Sequence, residues 1–164
     1  MKRFIIITAV FAALCCSCSP KPQTIAFGEG TLTLTAIQDD AVRIQYAEGE
    51  VREMPEMVYE KARPVKMKKA VEGNVAVFST ERMTVTVDAA GGIVAVADAS
   101  GKEVFKATGH ELKDAQVQGE ATREATLTLD SPEDEYLYGL GQFQDGFLNV
   151  KGMTRRLTQV NTQI

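Results

Sequence analysis

Hydrophobic and polar side chains alternate along several stretches of this 164-residue chain. A period of two predicts β-strands that turn one face to a core and the other to water. Two continuous apolar runs, at residues 75–78 and 93–97, predict central strands. The alternating positions fall in four groups: Leu32, Leu34 and Ala36; Val42, Ile44 and Tyr46; Met83, Val85 and Val87; and Ala125, Leu127 and Leu129.

Turn residues separate these runs at short intervals. Gly91 and Gly92 predict a hairpin between the strand at 83–88 and the run at 93–97. Residues 98–101 predict the next hairpin, with Gly101 in the left-handed conformation of a three-residue loop. Since no stretch keeps a 3.6-residue period, the sequence predicts a mostly antiparallel β fold, a sandwich or a barrel.

Residues 48–72 contain twelve charged side chains of both signs. Val65 and Met67 alternate there with Lys66, Lys68 and Lys69, a pattern that protects an edge strand from pairing with other chains. We therefore predict an edge strand in this segment, and a ligand surface is the alternative.

The N-terminus has the layout of a secretory signal. Lys2 and Arg3 precede a run of eleven residues, 4–14, which is apolar except for Thr8 and too short to span a membrane as a helix. All three cysteines follow within residues 15–18, so the rest of the chain has no cysteine for a disulfide.

This arrangement resembles a bacterial lipoprotein signal, in which cleavage leaves a cysteine for acylation. Cys18, after the small Ser17, is the predicted lipidated residue, and Cys16 is the alternative. The predicted organisation is a signal peptide at 1–17, a linker at 18–23 and a β-domain at 24–164. An exported protein, anchored by lipid in the cell envelope, is expected. A plain secreted protein with incidental cysteines remains the other possibility.

Charge and composition argue against several function classes. Removal of residues 1–17 leaves 16 basic residues against 22 acidic ones, a net charge of −6 with histidine neutral. Without a basic stripe, nucleic acid is not expected as a partner. His110, the one histidine, follows Gly109 and is expected in a surface loop. With no second histidine and no cysteine beyond Cys18, neither a metal nor another cofactor is expected.

No catalytic constellation is found either. A nucleophilic triad needs a histidine-like base beside a serine or cysteine, and His110 has no such motif around it. Asp39 and Asp40 are neighbouring carboxylates, as are the residues at 133–135. Adjacent residues of a strand point to opposite faces, so these groups are expected in solvated turns rather than at one substrate atom.

Residues 138–152 contain four glycines and a cluster of polar side chains, after an acidic turn at 132–135. This segment resembles the stretch that closes the N-terminal β-domain of glycoside hydrolase family 31. The resemblance rests on Glu135, the Tyr-Gly-Leu-Gly run at 138–141, Asn149, Gly152 and the Asn-Thr pair at 161–162. The hairpin at 83–105 is similar to the one that precedes it in that family. Gln142, Val160 and Gln163 depart from the family's usual glutamate, tryptophan and aspartate.

The resemblance implies a mutarotase-like β-sandwich packed against a (β/α)8 barrel that would begin after residue 164. Retaining hydrolysis in the family uses two aspartates on barrel loops. Neither motif lies in these residues, so this chain, read as a truncated enzyme, has no predicted catalytic residue and is expected to be inactive alone. The string at 142–146 is similar to exported α-xylosidase-like members; an α-glucosidase type is the other option.

The resemblance also implies a loop that reaches the active-site rim, where Gln144, Asp145 and Asn149 would hydrogen-bond sugar hydroxyls. The alternative is that these side chains only satisfy the backbone of their own turn, as in Asx-turns.

Two functions follow. The first is the N-terminal domain of a lipid-anchored α-glycosidase that acts on α-linked oligosaccharides, with the barrel, the oligosaccharide and the membrane as partners. The second is a free-standing carbohydrate-binding lipoprotein, which the scarcity of aromatic residues disfavours. A domain that only covers the barrel is compatible with the first. If a barrel normally covers the sandwich, residues 19–164 alone are expected to be poorly soluble or oligomeric.

Overall fold

The computed structural model describes residues 20–50, 63, 65–141 and 145–157. These residues form nine antiparallel strands and no helix. The strands are β1 Gln23–Phe27, β2 Gly30–Gln38, β3 Ala41–Ala47, β4 Lys68–Glu72, β5 Val75–Ser79, β6 Met83–Asp88, β7 Ile93–Asp98, β8 Glu103–Val117 and β9 Glu120–Leu129. The predicted signal peptide and its cysteines lie outside the described residues. Within the described part, no helix is long and apolar enough to cross a membrane.

The strands form two sheets in simple meander order. β1, β2 and β3 make a three-stranded sheet, and β4 to β9 make a six-stranded sheet. In β2 and β6 the alternating apolar residues are buried and the intervening ones only half-buried. The predicted antiparallel β fold is confirmed, and β5 and β7, predicted as central strands, have a neighbour on each side.

One hydrophobic core joins the two sheets. Leu34 of β2, Phe78 of β5, and Val85 and Val87 of β6 have no exposed surface. They belong to a single cluster of buried residues drawn from both sheets. This is the two-layer sandwich that half-buried antiparallel sheets form when they cover each other's apolar faces.

The β7–β8 turn confirms the predicted hairpin and its mechanism. Gly101 has φ +84°, a conformation in which a side chain would be strained. The Asp98 carboxylate accepts hydrogen bonds from the Ser100 hydroxyl at 2.6 Å, the Ser100 amide at 2.8 Å and the Lys102 amide at 3.1 Å. The Ser100 hydroxyl is the main reason that the pKa of Asp98 is lowered.

The edge strand predicted near Val65 begins later than expected. β4 starts at Lys68 and is the outer strand of the six-stranded sheet, with all five residues exposed. Val65 and Met67 precede it. An exposed edge with lysines at 68 and 69 fits the protective role inferred from the alternation.

His110 is not in a loop, and that prediction is wrong. It lies within β8, directly opposite Leu127 of β9, and is only partly exposed. Glycine is common in loops, but Gly109 lies in the ladder beside a register shift between Ala107 and Gly109. A glycine at a bulge is compatible with a continuing strand.

The half-buried pattern predicted for the last strand is also wrong. β9 forms, but all ten of its residues are exposed. β7 pairs with β8 only as far as Ala107, so the rest of β8 pairs with β9 alone. The two strands continue past the sheet as a two-stranded ribbon, where alternation no longer selects a buried face.

The chain divides into two compact units at residue 130. All nine strands lie in the first unit. The second, from Asp130 onward, holds the glycine-rich segment and has no strand or helix among its described residues.

Candidate functional site

The second unit begins with the acidic turn at 132–135, as predicted. The amide of Glu135 donates to the carbonyl of Pro132 at 3.0 Å. The Ser131 hydroxyl donates to the Glu135 carboxylate at 2.7 Å. Lys151 reaches back from later in the segment and donates its ammonium to the carbonyl of Pro132. These bonds fix the turn from both sides.

The Tyr-Gly-Leu-Gly run then reverses the chain. Gly139, Leu140 and Gly141 have φ values of +106°, +62° and +96°. Glycine adopts such values without steric cost, whereas Leu140 is a bulky residue held in the left-handed region. Two flanking glycines are therefore required by the backbone path itself, which explains why the motif combines these residue types.

Asn149 ties the two halves of the segment together. Its Oδ1 atom accepts hydrogen bonds from the amides of Leu137 at 3.0 Å and Lys151 at 3.1 Å. The amide of Val150 donates to the carbonyl of Leu137 at 2.7 Å. Both backbone groups of Leu137 are thereby held by residues 149 and 150, and Val150 is buried.

Asp145 is held in the same unit by Arg155. One guanidinium nitrogen of Arg155 contacts the Asp145 Oδ2 atom, and the Phe147 amide donates to Oδ1 at 3.2 Å. Arg155 is the larger cause, and the Phe147 amide the next, of a lowered pKa for the Asp145 carboxyl. The ionised carboxylate is therefore the form that the segment stabilises.

Two of the three predicted rim residues are thus described. Asp145 and Asn149 come from one segment, and both make the local backbone bonds that the Asx-turn alternative expected. Gln144 lies outside the described residues. Sugar binding by the three residues stays a prediction.

Two exposed tyrosines in this unit were missed by the sequence reasoning. Tyr136 and Tyr138 are 64% and 61% exposed, and their rings lie within 12° of parallel with centroids 6.4 Å apart. Their i, i+2 spacing was the available signal, since such residues share one side of an extended segment. Tyrosine is enriched at interfaces because its ring is apolar and its hydroxyl is polar.

The first unit contains a second candidate region, an aromatic cluster between the sheets. The His110 ring stacks on Phe27 at 4.7 Å and meets Tyr46 edge-on at 4.4 Å, centroid to centroid. The cluster lines a mostly apolar cavity of about 300 Å³ that reaches Phe105 and Leu127.

Charged residues close one end of this cluster. Arg123 of β9 donates to Glu48, just after β3, at 2.7 Å, and its Nε lies 2.9 Å from Asp114 of β8. The Arg123 hydrogen bond is the main cause of the lowered pKa of Glu48, and burial is the main cause of the raised pKa of Tyr46. The arrangement links β3 to the ribbon, which is a structural role.

The polar groups of the two regions are engaged in local contacts. Among the described residues, no three His, Cys, Asp or Glu side chains are placed to hold a metal ion. The Asp145 carboxylate is engaged by a guanidinium, and the Asn149 Oδ1 atom by backbone amides. The contacts of Asn149 and Asp145 order the described backbone of the second unit.

The architecture places the protein among two-layer antiparallel β-sandwich domains with a glycine-rich segment after the last strand. The family model of the glycosyl hydrolase 31 N-terminal galactose mutarotase-like domain matches residues 31–163. The chain belongs to this family, as the motifs at 135–152 predicted.

Solved structures agree. The crystal structure of the GH31 α-xylosidase from Xanthomonas citri is similar with a TM-score of 0.75 and 25% identity, over 87% of this chain and 17% of that chain. A GH31 α-xylosidase from a soil metagenome, complexed with xylose, shares the fold with a TM-score of 0.65 and 20% identity. That match covers 88% of this chain and 25% of the other. The chain therefore spans a quarter or less of the length of these two enzymes.

Proposed function

We propose that this chain is the N-terminal domain of an exported, lipid-anchored retaining α-glycosidase of α-xylosidase type that hydrolyses α-linked oligosaccharides. The family match over residues 31–163 carries the proposal. The likeness to an α-xylosidase at 25% identity favours that activity over the α-glucosidase option. In this proposal the sandwich is a scaffold for the barrel, and the segment at 136–155 contributes to the rim of its active site.

The rim role is supported by how firmly the segment is held. Asn149 joins two stretches twelve residues apart, and Arg155 fixes Asp145. A substrate contact gains affinity when its groups are ordered before binding, because less entropy is lost on association. Asn149 would order the segment, and the partly exposed Asp145 carboxylate would face sugar hydroxyls.

Hydrolysis is tested on the polypeptide encoded by the whole reading frame that contains this chain. We expect it to release 4-nitrophenol from the α-xyloside faster than from the α-glucoside, whereas the 164-residue chain alone releases none. The absence of α-glycosidase activity in the longer polypeptide would overturn the proposal. Asp145→Asn should raise KM, and Asp134→Asn, in the exposed acidic turn, should leave it unchanged.

The lipid anchor has a separate test. Metabolic labelling with radioactive palmitate should mark the wild-type chain and its Cys16→Ala variant, and should be lost in Cys18→Ala. A single acyl chain holds a protein only marginally at a membrane, so several chains at one cysteine are needed for stable anchoring. Loss of label in Cys16→Ala alone would move the site to Cys16. If neither the wild-type chain nor either variant is labelled, the protein is a plain secreted one.

A further inference from the structure

We infer that Tyr136 and Tyr138 form a stacking platform for a pyranose ring of the substrate and that Asn149 positions them through the backbone of Leu137. The inference rests on the proposed glycosidase function and adds residues that act in it. Few aromatic residues by themselves disfavour sugar binding, but two of the four tyrosines are exposed and nearly parallel in one segment.

The two tyrosine rings share one orientation. Tyr136 and Tyr138 flank Leu137, so their side chains leave the same side of the backbone. The rings are within 12° of parallel, and each is more than 60% exposed. Exposing two neighbouring aromatic rings to water is unfavourable in free energy, because each ring has a large apolar area. Two such rings with one orientation indicate a binding surface rather than chance exposure.

The backbone between Tyr136 and Tyr138 is held by two hydrogen bonds. The Leu137 amide donates to Asn149 Oδ1 at 3.0 Å, and the Leu137 carbonyl accepts from the Val150 amide at 2.7 Å. Since both peptide groups of Leu137 are held, the directions of the side chains on either side are set before a ligand arrives. Preorganisation of this kind lowers the entropic cost of binding.

The chemistry of a pyranose ring suits the groups that this segment exposes. A pyranose presents C–H bonds on its face and hydroxyls around its edge. The C–H bonds suit the electron-rich face of a tyrosine, and each tyrosine keeps a phenolic hydroxyl for the sugar's edge. The carboxylates of the acidic turn directly precede Tyr136, and burying them against an apolar protein partner would be costly. A polyhydroxylated ring satisfies both sets of groups.

Binding is measured on the 164-residue chain, purified in detergent, by NMR titration of its labelled tyrosine rings with the disaccharide isoprimeverose. We expect saturable shifts of the Tyr136 and Tyr138 signals. Tyr136→Ala or Tyr138→Ala should raise Kd about five- to tenfold, as expected for loss of one ring contact. Tyr136→Phe should keep most of the affinity. Phe147→Ala, which removes another exposed aromatic ring of the unit, is the matched control and should leave Kd unchanged.

Variants of Asn149 separate positioning from direct contact. Asn149→Asp keeps an oxygen that accepts from Leu137 but removes the Nδ2 donor, so it should bind nearly as well as the wild type. Asn149→Ala removes the acceptor and should weaken binding about threefold and change the relative shifts of the two tyrosine rings. If Asn149→Asp loses as much affinity as Asn149→Ala, the donor touches the sugar and the positioning role is wrong.

Three outcomes would overturn the platform. The wild-type chain could show no saturable binding, or the tyrosine-to-alanine variants could bind the disaccharide as tightly as the wild type. The third is that these variants change the sedimentation coefficient of the chain and leave Kd unchanged. The last result would make the surface a protein contact. Failure of the proposed function is distinguishable from these outcomes. If the longer polypeptide hydrolyses the α-xyloside while the chain binds no sugar, only the platform fails; sugar binding without hydrolysis leaves the platform and removes the enzyme.

Discussion

At Gly30, β2 begins so close to the end of β3 that no side chain fits. A Cβ atom there would lie 2.4 Å from the carbonyl oxygen of Ala47 and 2.8 Å from the ring of Tyr46. Backbone cannot move aside as a flexible side chain does. The glycine is therefore a condition for the contact between these strands, and Tyr46 in turn contacts His110.

We expect Gly30→Ala to lower the free energy of unfolding by about 1–3 kcal/mol, the usual cost of forcing an atom into a packed site. Gly109→Ala is the control, because its Cβ would meet Thr128 at an ordinary 3.7 Å. Urea unfolding followed by circular dichroism compares the two variants. Equal destabilisation by both would show that the close approach at Gly30 is absent in solution.

The ion pair between Asp145 and Arg155 gives the second unit a dependence on pH. Arg155 lowers the pKa of the Asp145 carboxyl. A carboxyl with a lowered pKa stabilises the folded form fully above its ordinary value of about 3.9 and loses that contribution as the pH falls through the lowered pKa. The segment should therefore loosen only in strong acid.

Arg155→Gln is expected to raise the pKa of Asp145 toward the ordinary value and to move the loosening of the segment to higher pH. A titration of the Asp145 side-chain carbon signal by NMR measures both. Arg156→Gln changes the neighbouring, exposed arginine and serves as the control. If the Asp145 midpoint is the same in Arg155→Gln and in the wild type, the ion pair does not form in solution.

At the scale of elements, the strands of the core carry most of the stability. Phe78 of β5 is fully buried, pairs with Val85 of β6 and lies 5.4 Å below the ammonium of Lys69. The central strands β5, β6 and β7 offer only two or three buried residues each, so one large side chain fills much of the space between the sheets.

Phe78→Ala should therefore lower the free energy of unfolding by about 3–5 kcal/mol, a combination of lost burial and a new cavity. Val71→Ala, on the neighbouring β4 and 59% exposed, should change it by less than about 0.5 kcal/mol. Thermal and urea unfolding supply both values. A small effect of Phe78→Ala would mean that the two sheets do not share the core described above.

The ribbon of β8 and β9 behaves differently from the core strands. Past Ala107, β8 has β9 as its neighbour and β7 no longer accompanies it. Isolated two-stranded ribbons are marginally stable, and here His110, Tyr46 and the bond from Arg123 to Glu48 attach the ribbon to the three-stranded sheet. The same contacts explain why His110 occupies a strand and not a surface loop.

At the scale of the whole molecule, the described residues leave apolar surface exposed on the first unit. Leu127 and Leu129 of β9 are 59% and 49% exposed, and Phe105 of β8 is 37% exposed. In the described part, β9 is also an outer strand with a free row of backbone donors and acceptors. Surfaces of this kind promote association between chains.

We expect residues 19–164 to form oligomers in analytical ultracentrifugation at micromolar concentration. Leu127→Lys should reduce the association severalfold, because it places a charge on the apolar face. Thr126→Lys, one residue away on the opposite face of β9, should reduce it less. A cooperative, monomeric wild-type fragment would contradict both the association and the expectation that another domain covers this surface.

The sequence by itself determined the core strands β2, β5, β6 and β7, the turn at 98–101 and the family, but not the course of β8. Alternation at 32–36 and 83–87 is local information, and the glycine at 101 is required by the turn that contains it. The segment at 135–152 likewise resembles the glycosyl hydrolase 31 N-terminal domain, the family whose model matches the chain, and its glycines at 139 and 141 adopt positive φ values.

Tertiary structure alone decided which faces are buried and which side chains meet. His110 contacts Phe27 and Tyr46 from distant parts of the chain, and no local pattern encodes such a contact. Alternation in β9 is as regular as in β6, yet β9 is exposed. The reason is that β8 extends beyond the end of its pairing with β7, and β9 pairs with that extension. The backbone between the two tyrosines donates a hydrogen bond to Asn149, a residue twelve positions from Leu137. Periodicity fixes how a strand divides its side chains between two faces, and only the neighbouring elements fix what each face contacts.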